Sequence, residues 1–317
     1  MPSEVWVRIN SDQLAYFSLL QLAELLADGR LSPQQLAGVF TARLMRFDSL
    51  LHPVVTLTTE LANQQAAAAQ AALQAANTSA AATTRSSSTS PKSNMLHNVS
   101  LLTGVPYGLK DLMAVPGYPT SWGLSQLRNR TINEPSAAYS VLSAAGGVLL
   151  AKTATGELAW GDVWFNGITT RNPWNINTGS CGSSAGSAVA VAAGLLPFAV
   201  GTETWGSIVC PASTVGVTAY RPTGGSISGQ GTMQAEVAVS LEGLWLEGYI
   251  DQDSHWYPLI QLGQVAPASA YLKAQRLRSV LAAQTRHYFA ANGIDVLLKP
   301  TKSKAVTDFH EVHPILV

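Results

Sequence analysis

Apolar positions recur at helical spacing near the start of the chain, with Phe17, Leu20, Leu22, Leu25 and Leu26 falling on one face of residues 16–28. Gly29 follows as a stop signal. Ser32-Pro33 then reads as an N-cap with proline at the first helical position. Behind it Leu36, Val39, Phe40, Leu44 and Phe47 predict a second amphipathic helix. Residues 61–77 are rich in Ala and Gln and favour helix by propensity. The pattern then gives way to a Ser/Thr-rich tract over residues 78–95, TSAAATTRSSSTSPKSNM. Such a tract buries too little surface to offset its ordering entropy, which predicts a flexible loop inserted within a domain.

After residue 100 the period changes. Leu101 to Leu109 mixes apolar residues with glycine and predicts a buried strand ending at Lys110. A helix over 140–145, a Gly146-Gly147 stop and the run Val148–Lys152 repeat the theme, and that run reads as a buried, parallel-type strand. A small-residue helix is predicted over Ala188–Gly194 and a strand over Leu195–Val200. Strand and helix alternating in this way predict an α/β fold, a mixed sheet covered by helices. Residues 229–262 give no recognisable element despite Trp245, Tyr249, Trp256 and Tyr257. A helix over Ala268–Phe289, carrying Leu272, Leu277, Val280, Leu281 and Tyr288, leads to a last apolar strand over Asp295–Thr301.

Composition narrows the partners. Only 12% of the 317 residues are charged, the net charge is zero and 47% are hydrophobic, which argues against nucleic acid. No apolar run reaches the ~18 residues of a membrane helix, and MPSEVWVRIN lacks the basic start and apolar core of a secretory signal. The two cysteines, Cys181 and Cys210, are too few for a disulfide framework. A reduced, cytoplasmic setting is therefore expected.

Candidate chemistry gathers in two glycine-bearing turns that flank one apolar segment: Gly182-Ser-Ser-Ala-Gly-Ser187 and Gly201-Thr-Glu-Thr-Trp-Gly-Ser207. Two such turns can bring two hydroxyls to one spot, with successive backbone N–H groups nearby to receive an oxyanion. A serine in a glycine turn is by itself usually a turn residue, so the base decides the matter. No histidine occurs between His97 and His255. Lys110, at the end of a buried strand, is the better candidate, because burial disfavours the ammonium and supplies a neutral amine. Lys152 is read as structural, and Glu203 and Arg221 as braces of the turns.

Four segments, GVPYGLKD, GSSAGSAVAVAAG, GTETWGSIVCPA and GVTAYRPTGG, resemble the amidase signature family of serine hydrolases in order and spacing. The resemblance implies a single amidase-like domain. Its parts are N-terminal helices (1–77), the loop (78–95), a catalytic core (96–228) and a C-terminal part (229–317) that is compressed relative to the family. It implies Ser207 as nucleophile, Ser183 after a cis peptide as proton relay, and Lys110 as base. Thr204, Trp205, Gly206 and Ser184 would serve the oxyanion or the substrate. Cys181, Ala185, Trp205 and Val209 depart from the residues usual at their positions, and none removes a member of the triad. The implied reaction is hydrolysis of a small-molecule carboxylic amide, with no metal or organic cofactor, no membrane and at most a second copy of the chain as partner. Two alternatives accompany it: the glutaminase-type subunit of a tRNA-dependent amidotransferase, and a non-catalytic relic that keeps the motifs without a closed pocket.

Overall fold

The computed structural model describes residues 11–83, 99–222, 233–265, 267–294 and 315–316. The distal part of the polar tract (84–95), the lead of the unassigned segment (229–232) and the expected last strand (295–301) lie outside the described residues. The chain divides into two compact units, Met1–Arg221 with Ala305–Val317 and Pro222–Lys304, where the sequence pattern suggests one domain.

In the first unit, Ser18 and Ser32 cap helices α1 (Leu19–Ala27) and α2 (Pro33–Leu51) with reciprocal capping boxes through Gln21 and Gln35. The buried face of α2 carries Leu36, Phe40 and Leu44, as its periodicity predicts. Strand β1 (Val54–Leu57) follows, and then helix α3 (Thr59–Thr83), which continues past residue 77. Residues 78–83 are thus helical rather than loop: the alanines at 80–82 extend a favourable helix before the polar tract begins.

The centre is a four-stranded mixed sheet in the order β1-β3-β2-β4, with β2 spanning Pro106–Lys110, β3 Val148–Thr153 and β4 Ala199–Val200. Strand β2 runs parallel to β3 and β4, and β1 runs antiparallel to β3. Every residue of β2 and β3 is buried, as expected for parallel strands covered on both faces. Helix α4 (Ala137–Ala144) leads into β3, and helix α5 (Ala185–Ala192) lies behind the first serine turn with Ala185 to Val191 buried. Small side chains let α5 lie close on the sheet. Ser187 Oγ donates to the Val200 carbonyl at 3.0 Å and lies 2.7 Å from Thr153 Oγ1. The strand expected over 195–200 is confined to Ala199–Val200. Helix α6 (Val209–Val215) follows the second serine turn.

The second unit contains α7 (Met233–Leu246), α8 (Tyr257–Gln264) and α9 (Ala268–Asn292). The first two fill the interval in which the sequence shows no element, and they pack on each other with Leu241, Leu244 and Ile260 buried. No described helix is long and apolar enough to cross a membrane.

Candidate active site

Strand alternation sends neighbouring side chains to opposite faces of the sheet. Lys110 and Asp111 are therefore parted at the end of β2, and each finds its own partners. Lys152 in β3 stands opposite Leu109, so it shares a face with Asp111. Lys152 Nζ donates to Asp111 Oδ1 at 2.6 Å, to the Pro119 carbonyl at 2.9 Å and to Thr120 Oγ1 at 3.1 Å. Ser121 donates to the other carboxylate oxygen through its N–H at 2.9 Å and through its hydroxyl. Burial pushes the Lys152 amine below the ordinary lysine value, and the Asp111 carboxylate acts against that shift. The expectation that Lys152 is structural agrees with these bonds.

Among the described residues Lys110 hydrogen-bonds only to hydroxyls. Its Nζ donates to Ser183 Oγ at 2.6 Å, to Thr202 Oγ1 at 2.8 Å and to Ser184 Oγ at 3.0 Å. The residue is fully buried. Desolvation lowers its pKa to about 7, with the Glu203 carboxylate pulling the other way. Ser183 Oγ in turn donates to Ser207 Oγ at 3.0 Å. The three residues singled out by sequence thus form one continuous chain of side-chain contacts. Ser183 is buried at 1% exposure, whereas Ser207 is only half-buried. The Gly182–Ser183 peptide is cis.

Each serine turn is held by a close backbone approach that only glycine permits. A Cβ on Gly182 would run into the Gly161 carbonyl oxygen, and one on Gly201 would come within 2.7 Å of Ser184 Oγ. Ser184 couples the two turns: its N–H donates to the Ser207 carbonyl at 3.0 Å, and its hydroxyl accepts from Thr202 N–H at 3.1 Å. Glu203 accepts from the N–H groups of Gly206, Ile208 at 2.7 Å and Val209 at 3.1 Å, so its carboxylate clamps the loop around Ser207. The bracing expected of Glu203 is present, while Arg221 is exposed. Of the four residues expected to serve the oxyanion or the substrate, Gly206 thus spends its N–H on Glu203 and Ser184 spends its own on Ser207. Thr204 and Trp205 are exposed, and the Trp205 ring lies 6.4 Å from that of Trp160.

Two features escape a linear reading. Thr202 is a third hydroxyl on Lys110, and the only hint of it is its position beside Gly201. The cysteines are the larger surprise, because Cys181 and Cys210 form a disulfide, which overturns the expectation of two reduced thiols. Two cysteines 29 residues apart give no indication in sequence that their Cα atoms lie 5.9 Å apart. Among the described residues no group of three or more His, Cys, Asp or Glu could hold a metal ion.

Comparison with known proteins agrees with these motifs. The family model described as Amidase matches residues 56–245. A glutamyl-tRNA(Gln) amidotransferase subunit from Pseudomonas fluorescens (strain Pf0-1) is 37% identical over 67% of this chain and 40% of its own length. Its counterpart from Acinetobacter baylyi is 30% identical over 95% of this chain and 59% of its own. Among solved structures, an amidase family protein from Bacillus anthracis str. Ames has a TM-score of 0.54 at 26% identity, covering 66% of this chain and 40% of that one. The chain therefore spans less than two thirds of these relatives' length.

Proposed function

Since this chain belongs to the Amidase family, we propose that it hydrolyses a small carboxylic amide through an acyl-enzyme, with Ser207 as nucleophile, Ser183 as relay and Lys110 as base. What supports the reading is the unbroken path from the Lys110 amine to the Ser183 and Ser207 hydroxyls, 2.6 and 3.0 Å, in a position where that amine is sealed from water. An ammonium uses all three protons on the three surrounding hydroxyls. Once the amine is neutral, its lone pair lets the hydroxyls turn about. Ser207 then donates to Ser183 and Ser183 to Lys110, which is the direction needed to deprotonate the nucleophile.

In the forward step Ser207 Oγ bonds to the amide carbon as its proton passes to Ser183. Ser183's own proton passes to the Lys110 amine, which then returns a proton through Ser183 to the leaving nitrogen, and the C–N bond breaks. Water attacks the resulting ester by the reverse relay, giving the acid and restoring Ser207. The oxyanion is received by backbone N–H groups of the Thr204–Trp205 turn, since Gly206 N–H is engaged by Glu203. One donor of this kind contributes about 2.7–4 kcal/mol to the transition state.

A second reading, hydrolysis of glutamine as one component of an amidotransferase, is favoured by the names of the relatives. It would show as ammonia release from glutamine only when partner proteins are added. The test of the serine chemistry is a fluorophosphonate probe. Labelling of wild type at Ser207, absent in folded Ser207→Ala, is expected together with amide hydrolysis. Folded wild-type protein that takes no label would leave the non-catalytic reading standing.

A further inference from the structure

The disulfide stands outside the Lys110–Ser183–Ser207 chain, yet it bonds the two turns that carry the serines. Cys181 lies two residues before Ser183, and Cys210 lies three after Ser207, at the start of α6. Each end is also held by its surroundings. The Cys210 N–H donates to the Gly206 carbonyl at 2.8 Å. On the other side Ser180 Oγ donates to the Thr170 carbonyl at 3.1 Å, and Gly182 is pressed against Gly161.

The rest of the link between the turns is softer. Apart from the hydroxyls around Lys110, it includes the 3.0 Å bond from Ser184 N–H to the Ser207 carbonyl, the Ser184–Thr202 contacts and the Ser187–Val200 bond at the edge of the second turn. The Ser207 turn is itself open to solvent at Thr204 and Trp205, with Gly206 at φ +112°. Cys181 adds a separate observation. Its φ is +61°, a left-handed backbone that costs a Cβ-bearing residue of this kind free energy unless its surroundings hold it. A covalent tether on that same side chain is such a restraint.

We propose that Cys181 and Cys210 are positioning residues for the hydroxyl pair: their disulfide keeps Ser207 Oγ within reach of Ser183 Oγ, so that turnover depends on the oxidation state of this pair. The proposal rests on the serine reading of the site. Both cysteines are half-buried and so open to a small dithiol. Reduction passes two electrons and two protons from the dithiol to the bridge, leaving two cysteine thiols and an oxidised, cyclic disulfide. Neither sulfur belongs to the chain of hydroxyls, so the loss falls on alignment. A displacement of about 1 Å in a reacting group costs on the order of 10²-fold.

The experiment uses the full chain, with thiols counted before and after dithiothreitol. Expected are no free thiols in the oxidised protein, two after reduction, and a fall in kcat of about tenfold or more. KM should stay within twofold, the acid limb of the pH profile should not move, and reoxidation should restore kcat. Cys210→Ala should start at the reduced level and ignore dithiothreitol. Two thiols in the oxidised protein, or an unchanged kcat after complete reduction, overturns the proposal while leaving the serine reading intact. If oxidised protein neither hydrolyses amides nor labels at Ser207, the serine reading has failed, and amide hydrogen exchange decides the staple alone. Faster exchange over 180–184 and 203–210 on reduction supports it, and unchanged exchange overturns it.

Discussion

The sheet with its two serine turns and the last described helix, α9, treat apolar residues in opposite ways. In β2 and β3 every position is buried, and in α5 all but the last, leaving two lysines with no route to water except through designated partners. In α9 no residue is buried, and Leu272, Leu277, Val280, Leu281 and Tyr288 stand 53–62% exposed. An amine with its pKa near 7 can exist only in the first kind of region, where exclusion of water is enforced from all sides. The second kind supplies helical length without that enforcement. Membership of a helix or strand therefore says little about chemistry; completeness of burial says much more.

The sharpest way to break this contrast is at Lys110. Replacing it with Met keeps the bulk and removes the proposed base, and a general base contributes about 10²–10⁴-fold. Lys110→Met should therefore lose kcat/KM by about that factor, with folding retained. On the proposed mechanism the neutral amine is the active form, so kcat/KM should climb with pH and level off above about 7. A limb displaced to 9 or beyond would mean the amine is solvated like an ordinary lysine. The same shift has a stability signature. Between about 7 and the ordinary lysine value the unfolded chain carries a proton that folded Lys110 lacks, so this residue's contribution to unfolding free energy rises with pH across that window.

How much of this was legible in the chain follows from the kind of signal each feature leaves. Ser183, Ser207 and Lys110 sit in glycine-bounded turns whose order and spacing carry information, and they could be named without coordinates. Thr202 could not, because its meeting with Lys110 depends on how β4 enters its turn beside β2. Nor could the disulfide, since it measures a distance between turns and not a pattern along them. Helix α3 outran its expected end because Ala propensity continues through residue 82 while the polar tract is counted from 78. Helix α7 leaves no sequence signal for a different reason. Its Val, Leu and Trp residues are spread around the helix and leave no clear stripe for a periodicity test.

The contrast can be sharpened at the second lysine, where the expected effect is on stability. Removing one member of a buried ion pair typically costs about 3–5 kcal/mol, because the other charge is left without its counterion. Lys152→Met takes the ion-pair partner from Asp111, leaving it hydrogen-bonded by Ser121, with the Arg130 guanidinium as the remaining nearby cation. Urea unfolding should therefore show a loss in that range. Asp111→Asn combined with Lys152→Met should recover much of it, since both charges of the buried pair are then gone. A loss below about 1 kcal/mol for the single variant would mean that water reaches this face of the sheet, and the enforced burial claimed for both lysines would fall with it.

The smallest effects test the other side of the comparison. Leu149 is fully buried in β3, paired with Tyr107 of β2, and Leu149→Ala removes packed atoms and leaves a cavity, at about 2–5 kcal/mol. Leu277 in α9 carries the same side chain at 56% exposure. Leu277→Ala should stay within about 0.5 kcal/mol, because alanine is the better helix former and little buried surface is lost. Chemical denaturation followed by circular dichroism reads both. Should Leu277→Ala cost as much as Leu149→Ala, the apolar stripe of α9 would be covered in solution. The two regions would then differ in what covers them and not in how they use apolar residues.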